Sequence, residues 1–220
     1  MITIRNLELS LVALAMAAIG AGCGGPLSHT VDGWSPAAVS AEQRAEVDAK
    51  QAAVEKASQS KDAGDVAVDR AEAEVDTAEQ AVEQAEANLE VAEAQLELAE
   101  KQQNAGQKAD IAGAEGEVTK KKKAVEVAKK KRDLAERRHE LAEKESKETE
   151  RAWVVALAEL ELAKLEAQGG KGPQYDEEKA NFEKQLADAQ SEHADAKKDQ
   201  AQAKQDVEEA QAELAEASGT

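Results

Sequence analysis

The sequence predicts an all-α protein: long antiparallel coiled-coil helices, arranged as a three-helix hairpin or bundle, after a signal peptide and a flexible tether. Only 2% of the residues are aromatic although 41% are hydrophobic, which is typical of alanine-rich helices and not of a domain with a large core. Apolar residues recur every seven positions over long stretches, and two glycine-containing interruptions divide them into three segments. The net charge of -18 also raises intrinsic disorder as an interpretation, but a disordered chain would not keep the heptad phase.

The first helix is predicted over residues 40–104. Ser40 and Gln43 form the pattern of a capping box, in which each side chain bonds the other residue's backbone amide. Valine or leucine then recurs every seven residues with alanine three positions later, which predicts a narrow coiled-coil seam. The seam comprises Val47, Val54, Val68, Val75, Val82, Leu89 and Leu96 with Ala71, Ala78, Ala85, Ala92 and Ala99, and Lys61 and Gly64 fill one weak heptad.

A turn is predicted over residues 105–117 and a second helix over residues 118–168. Gly106, Gly113 and Gly116 each cost about 1 kcal/mol relative to alanine in a helix, and the heptad phase breaks among them. A continuous, frayed helix is the alternative. The second helix has a thin apolar ridge that broadens after Trp153 over more than one face, which predicts two partner helices there. The ridge is Val127, Ala128, Leu134, Ala135, Leu141 and Ala142.

A Gly/Pro turn is predicted at residues 169–174, where Gly-Gly-Lys-Gly-Pro interrupts the pattern, and a third helix at 175–218. His193 and Gln200 lie in the seam of this helix, where a half-buried spacer is a more common role for histidine than a metal ligand. The seam comprises Phe182, Leu186, Ala189, His193, Ala196, Gln200, Ala203, Val207, Ala210, Leu214 and Ala217.

The distribution of charge supports an antiparallel order. Residues 41–104 hold 17 acidic and 6 basic residues, and residues 169–220 hold 13 and 6, whereas residues 105–168 hold 14 and 15. Two turns would therefore place both acidic helices beside the basic one. Exposed ion pairs stabilise little, but they select register and orientation.

The first 22 residues have the pattern of an export signal. Arg5 precedes an apolar run from Leu9 to Ile19 that is too short to span a bilayer. Small residues then lead to Cys23, the one cysteine of the chain. An ordinary secretory signal cleaved at a small-x-small site is one interpretation, although a free thiol would then have no evident use.

The run Gly20-Ala21-Gly22 before Cys23 resembles the lipobox of bacterial lipoproteins. The resemblance implies that the Cys23 thiol carries a diacylglycerol, that the signal is removed before Cys23, and that the new amino terminus is acylated. Cys23 is the predicted lipidation site. In a Gram-negative cell, Gly24 in place of aspartate implies the outer membrane, with the body facing the periplasm.

Residues 23–39 are predicted to be the acylated cysteine and a flexible tether, because glycine, proline and serine recur there. Trp34 could rest on lipid headgroups or pack on a helix, and the sequence does not decide between them.

The sequence offers no catalytic, metal or cofactor site. Gly169-Gly-Lys-Gly172 lacks the spacing of a phosphate-binding loop, and His29, His139 and His193 are far apart. Strong acidity argues against a nucleic-acid partner. We therefore expect a non-catalytic protein without cofactors or a small-molecule substrate, whose partners are the membrane and either another protein or itself.

The expected function is that of a lipid-anchored structural or scaffolding lipoprotein of the bacterial cell envelope. In the broad sense the chain resembles murein lipoprotein, in which alanine-rich heptads follow an acylated cysteine. Alternatively, the first two helices are similar to the α-hairpin of periplasmic adaptor proteins, which implies a binding component of an export or efflux assembly. A desiccation protein is a weaker alternative, because such chains usually show a period of eleven residues and not seven.

Overall fold

A computed structural model describes residues 26–170 and 172–219. A short 3-10 helix, Pro36–Ala38, is followed by α1 (Ala41–Asn104), α2 (Ile111–Gln168) and α3 (Pro173–Ser218). Every regular element among the described residues is helical. The predicted all-α fold with three long helices is confirmed.

The start of α1 is fixed by the predicted capping box. The Gln43 backbone amide donates to Ser40 Oγ at 3.2 Å, and the Ser40 amide donates to Gln43 Oε1 at 3.0 Å. Two of the amides that a helix start leaves unpaired are therefore satisfied within one turn. From this cap, 64 residues continue without interruption, for a length of about 96 Å.

The predicted seams are the buried lines of α1 and α3. All members of both seams are buried or half-buried, whereas most of their neighbours are exposed. Alanine at every second seam position keeps the side chains short, so neighbouring helix axes can approach closely. The fully buried members are Val47, Val54, Ala71, Val82 and Ala92 in α1, and Phe182, Ala189, Ala196, Ala203 and Val207 in α3.

The first turn is shorter than the sequence predicts. Gly106 has a φ of +77°, in the left-handed region that favours glycine, and α2 begins at Ile111 instead of Val118. Asp110 explains the difference, because its side chain accepts a hydrogen bond from the Gly113 amide at 3.0 Å. This cap offsets part of the cost of placing Gly113 and Gly116 in the first turns of the helix.

The second turn is close to its prediction. Gly169, with a φ of +67°, ends α2, and Pro173 at the first turn of α3 fits a position where its missing amide is not needed. The third helix begins at Pro173, slightly before the predicted Tyr175, and ends at the predicted Ser218.

The second helix is the centre of the fold. Both α1 and α3 pack along α2, and among the described residues these are the two main helix–helix contacts. The apolar residues after Trp153 face both neighbours, as predicted: Leu160 and Ala163 join Val47 and Val54 of α1 in one buried cluster, and Val154 lines a cavity with Ala189 of α3. The apolar ridge of α2 differs in detail from its prediction, because Val118 and Val125 are buried whereas Val127 and Leu141 are only half-buried.

Gly64 marks a close approach of α1 to α2. A Cβ atom added there would lie 3.0 Å from the Ser146 Cα atom and 3.0 Å from Thr149 Oγ1. The weak heptad of the α1 seam is therefore a packing requirement, because the α2 backbone occupies the space that a side chain would need.

A pair of glycine substitutions tests this contact. We expect Gly64→Leu to lower the free energy of unfolding by about 1–3 kcal/mol, because it overpacks the α1–α2 contact. Gly116→Ala is the matched control, since nothing lies within 4 Å of its added Cβ, and it should stabilise α2 by up to about 1 kcal/mol. Urea denaturation followed by circular dichroism measures both. Equal effects of the two substitutions would contradict the close packing at Gly64.

Candidate functional site

Residues 26–39, which we call the N-terminal strap, pack on the helices. The Gln185 side chain of α3 bonds the strap three times: Ser28 Oγ and the His29 amide each donate to its Oε1 at 2.8 Å, and its Nε2 donates to the His29 carbonyl at 3.1 Å. The His29 ring lies 6.0 Å from the Phe182 ring, centroid to centroid. The side-chain amide of Gln185 thus satisfies both the N–H and the C=O group of His29.

A buried carboxylate of α2 holds the next part of the strap. Glu161 is 7% exposed, and its Oε2 accepts a hydrogen bond from the Val31 amide at 2.7 Å. Its Oε1 accepts from Lys164 Nζ at 2.6 Å. A buried carboxylate is tolerable only when its oxygens are bonded in this way, so Glu161 is suited to binding the strap.

Apolar side chains complete the contact. Trp34 and Val39 pack against the buried cluster that Leu160 forms with α1. Arg44 of α1 donates through Nη2 to the Pro36 carbonyl at 2.6 Å. The sequence predicts a flexible tether here, whereas the structure shows a docked segment. The glycine and proline content correctly predicted an irregular backbone, but the apolar side chains between these residues bind the segment to the helices. Of the two roles open for Trp34, packing on a helix is the one observed.

Cys23, the predicted lipidation site, lies outside the described residues. The nearest described residue is Pro26, which borders a surface cavity formed with Arg151 and Val154 of α2 and Ala189 of α3. The described part of the strap therefore begins beside the α2–α3 pair, away from the turn at residues 169–172 that joins these two helices.

Ion pairs between helices follow the predicted distribution of charge. Lys129 bonds Glu86 of α1 at 2.8 Å, and Lys130 bonds Glu213 of α3 at 2.6 Å. Adjacent lysines thus point to opposite neighbours, which shows that α2 presents basic groups to both acidic helices. Other basic residues pair within α2, as Arg137 does with Glu140 at 3.2 Å.

Polar pairs interrupt the α2–α3 contact. His193 Nε2 lies 2.6 Å from Glu148 Oε1, and Gln200 Nε2 donates to Glu145 Oε1 at 3.3 Å. Both side chains of the His193–Glu148 pair are less than one-fifth exposed. These residues hold register between two alanine-rich faces, the spacer role that the sequence predicts for His193.

A similar polar contact joins α1 to α2 near Gly64. Asp65 accepts hydrogen bonds from Lys61 Nζ at 2.8 Å and from Ser146 Oγ at 2.7 Å. These two bonds hold the pKa of the Asp65 carboxyl below its usual value. A lowered pKa in the folded state contributes stability above the unfolded-state pKa and loses it as the pH falls through the folded-state value.

Comparison with protein-family models, curated proteins and solved structures found no match to this chain. Among the helices of the described residues, none is long and apolar enough to cross a membrane. Within that same part of the chain, His, Cys, Asp and Glu side chains form no group of three or more able to hold a metal ion.

Proposed function

We propose that the protein is a lipid-anchored, non-catalytic scaffolding lipoprotein of the bacterial cell envelope. The observation that carries the proposal is the position of Cys23, which follows a short apolar run and small residues and precedes the docked strap by a few residues. Diacylglycerol on the Cys23 sulfur would supply two acyl chains and an acyl group on its nitrogen a third, and two chains are enough for stable membrane binding.

The helical body supports a mechanical role. A continuous α1 of about 96 Å, with α2 packed along it and α3 packed along α2, forms an extended layer of helices. Such a layer can space or tether two structures. The acidic surface of α1 and α3 would discourage binding to nucleic acid and to anionic lipid. The proposed location is the outer membrane of a Gram-negative cell, with the body in the periplasm.

The docked strap determines how the body is held. Extended chain covers about 3.5 Å per residue, so three residues place Cys23 no more than roughly 11 Å from Pro26 while the strap stays docked. Pro26 lies beside Arg151 and Ala189. The lipid would therefore hold the side of the α2–α3 pair close to the membrane surface, instead of leaving the body on a long tether.

The predicted alternative, an α-hairpin component of an export or efflux assembly, is supported by one observation. Glu213, near the end of α3, bonds Lys130, so the start of α2 extends past the end of α3 and forms a two-helix tip with α1. Copurification of the chain with an envelope channel or pump, lost when the tip residues are changed, would favour this alternative.

Replacing the thiol tests the anchor. We expect the wild-type chain to incorporate radiolabelled palmitate and to sediment with membranes, because acylation provides its hydrophobic anchor. Cys23→Ser should abolish the label and retain the signal precursor. Gly25→Ser, which keeps the thiol, is the matched control and should label normally. Equal labelling of the Cys23→Ser variant would overturn the proposal.

A further inference from the structure

A second apolar stripe runs along α1 near the hairpin tip. Ala87, Val91, Ala94 and Leu98 follow the spacing of a heptad seam and face away from the seam that packs on α2. All four are exposed, and Val91 and Leu98 are 57% and 56% exposed. Large apolar side chains placed on one outer face at seam spacing indicate a contact surface.

The two borders of this stripe differ in charge. One border is acidic, because a glutamate directly precedes each of Gln84, Val91 and Leu98: Glu83, Glu90 and Glu97. The other border carries uncharged amide side chains. Within the described part of the chain, Glu83 and Glu90 form no salt bridge. An acidic border favours a partner surface that combines apolar and basic groups.

The same chain offers a surface of this kind. An apolar groove on the α1–α2 pair has Ala81, Ala124, Val127 and Ala128 as its floor and Lys120, Lys123 and Lys131 as its rim. Lys123 and Lys131 form no salt bridge among the described residues, although the chain has 46 acidic side chains. Lysines around an apolar floor, two of them without a salt bridge among the described residues, complement the stripe of α1.

Stripe and groove lie at the same height on the hairpin. Lys129 bonds Glu86 at 2.8 Å, and the Lys122 ammonium lies 3.6 Å from the Glu93 carboxylate. These pairs place residues 86–93 of α1 beside residues 122–129 of α2. Two chains can therefore bring one stripe against one groove with their hairpins side by side.

We propose that this protein associates with a second copy of itself, the α1 stripe of one chain lying in the lysine-rimmed groove of the other. Burial of Val91 and Leu98 supplies the apolar contact, and the acidic border of the stripe meets Lys123 and Lys131. The interface does not involve Cys23. The proposed self-association could therefore be disproved without affecting the proposed lipid anchor, and the anchor could be disproved without affecting the self-association.

Light scattering tests the proposal. It measures the mass of the full chain in detergent solution, with a correction for bound detergent. We expect a dimer or larger assembly for the wild type. Val91→Glu combined with Leu98→Glu should weaken association by tenfold or more, because it places charge at the centre of the contact. Val66→Glu is the matched control, since Val66 is 66% exposed and lies outside the stripe. Circular dichroism verifies that each variant remains helical.

Charge reversal identifies the second half of the interface. Lys123→Glu with Lys131→Glu should weaken association, and adding Glu83→Lys with Glu90→Lys to the same chain should restore it. High salt should weaken the wild-type assembly. A wild-type chain with the mass of one copy, association that survives Val91→Glu with Leu98→Glu, or failure of the combined reversal to restore it would overturn the proposal.

Discussion

Phe182→Ala is expected to lower the free energy of unfolding by about 3–5 kcal/mol, the usual cost of removing a buried phenylalanine. Phe182 is 2% exposed and is the largest fully buried side chain among the described residues. In a layer whose seams are mostly alanine, few other side chains can fill the cavity. The His29 ring, 6.0 Å away, would also lose its neighbour. The measurement is urea denaturation followed by circular dichroism.

Two controls separate this cavity from general effects. Phe182→Leu keeps most of the apolar volume and should cost distinctly less than Phe182→Ala. Val66→Ala removes apolar atoms from a side chain that is 66% exposed, and it should change stability by no more than about 0.5 kcal/mol. Amide hydrogen exchange should increase first in α3, because Phe182 belongs to that helix and α2 is its main helical neighbour. A Phe182→Ala cost no larger than that of Val66→Ala would contradict the packing described for Phe182.

The second large effect is expected on the opposite face of α2. Leu160 is 3% exposed and packs in the cluster formed with Val47 and Val54 of α1. Leu160→Ala should cost about 2–5 kcal/mol, since the rigid helices around the cavity can collapse only in part. Leu160→Met, which conserves volume, should cost less than about 1.5 kcal/mol.

Hydrogen exchange distinguishes this site from Phe182. Leu160→Ala should accelerate exchange in the first turns of α1, where Val47 and Val54 lose their contact, while the end of α3 remains protected. If exchange instead rose mainly in α3, the assignment of Leu160 to the α1 side of the fold would be wrong.

The sequence predicted the parts of the fold that depend on local chemistry or on periodicity. The Ser40–Gln43 capping box is a contact within one helical turn, so its residues are visible as a pattern. The seams of α1 and α3 repeat every seven residues, which reveals the buried face even where alanine is the apolar residue. The half-buried positions of His193 and Gln200 followed from their places in that repeat.

Other features depended on contacts that no short pattern contains. The first turn proved shorter than predicted because one side chain, Asp110, caps α2 before its two glycines. Asp110 itself could have given the signal, since aspartate is a preferred residue at helix starts. Lys129 and Lys130 are consecutive and therefore point in different directions from the helix, but only the structure shows that Lys129 bonds α1 while Lys130 bonds α3.

The candidate site was predicted at Cys23 and missed in the strap. Composition correctly indicated irregular backbone in residues 26–39, but it could not show that Gln185 and Glu161 bind that backbone from far along the chain. Glu159 and Glu161 are both carboxylates within a largely apolar stretch, so the sequence alone does not single out Glu161. Its buried position next to Lys164 then explains how a charged residue is tolerated there.

The mass of the mature protein's amino terminus tests the proposed anchor most directly. Mass spectrometry of the chain purified from bacterial membranes should show an amino-terminal peptide that begins at Cys23 and carries the added mass of a diacylglycerol and an acyl group. Residues 1–22 should be absent. An unmodified Cys23, or a mature chain that begins elsewhere and carries no lipid, would contradict the account.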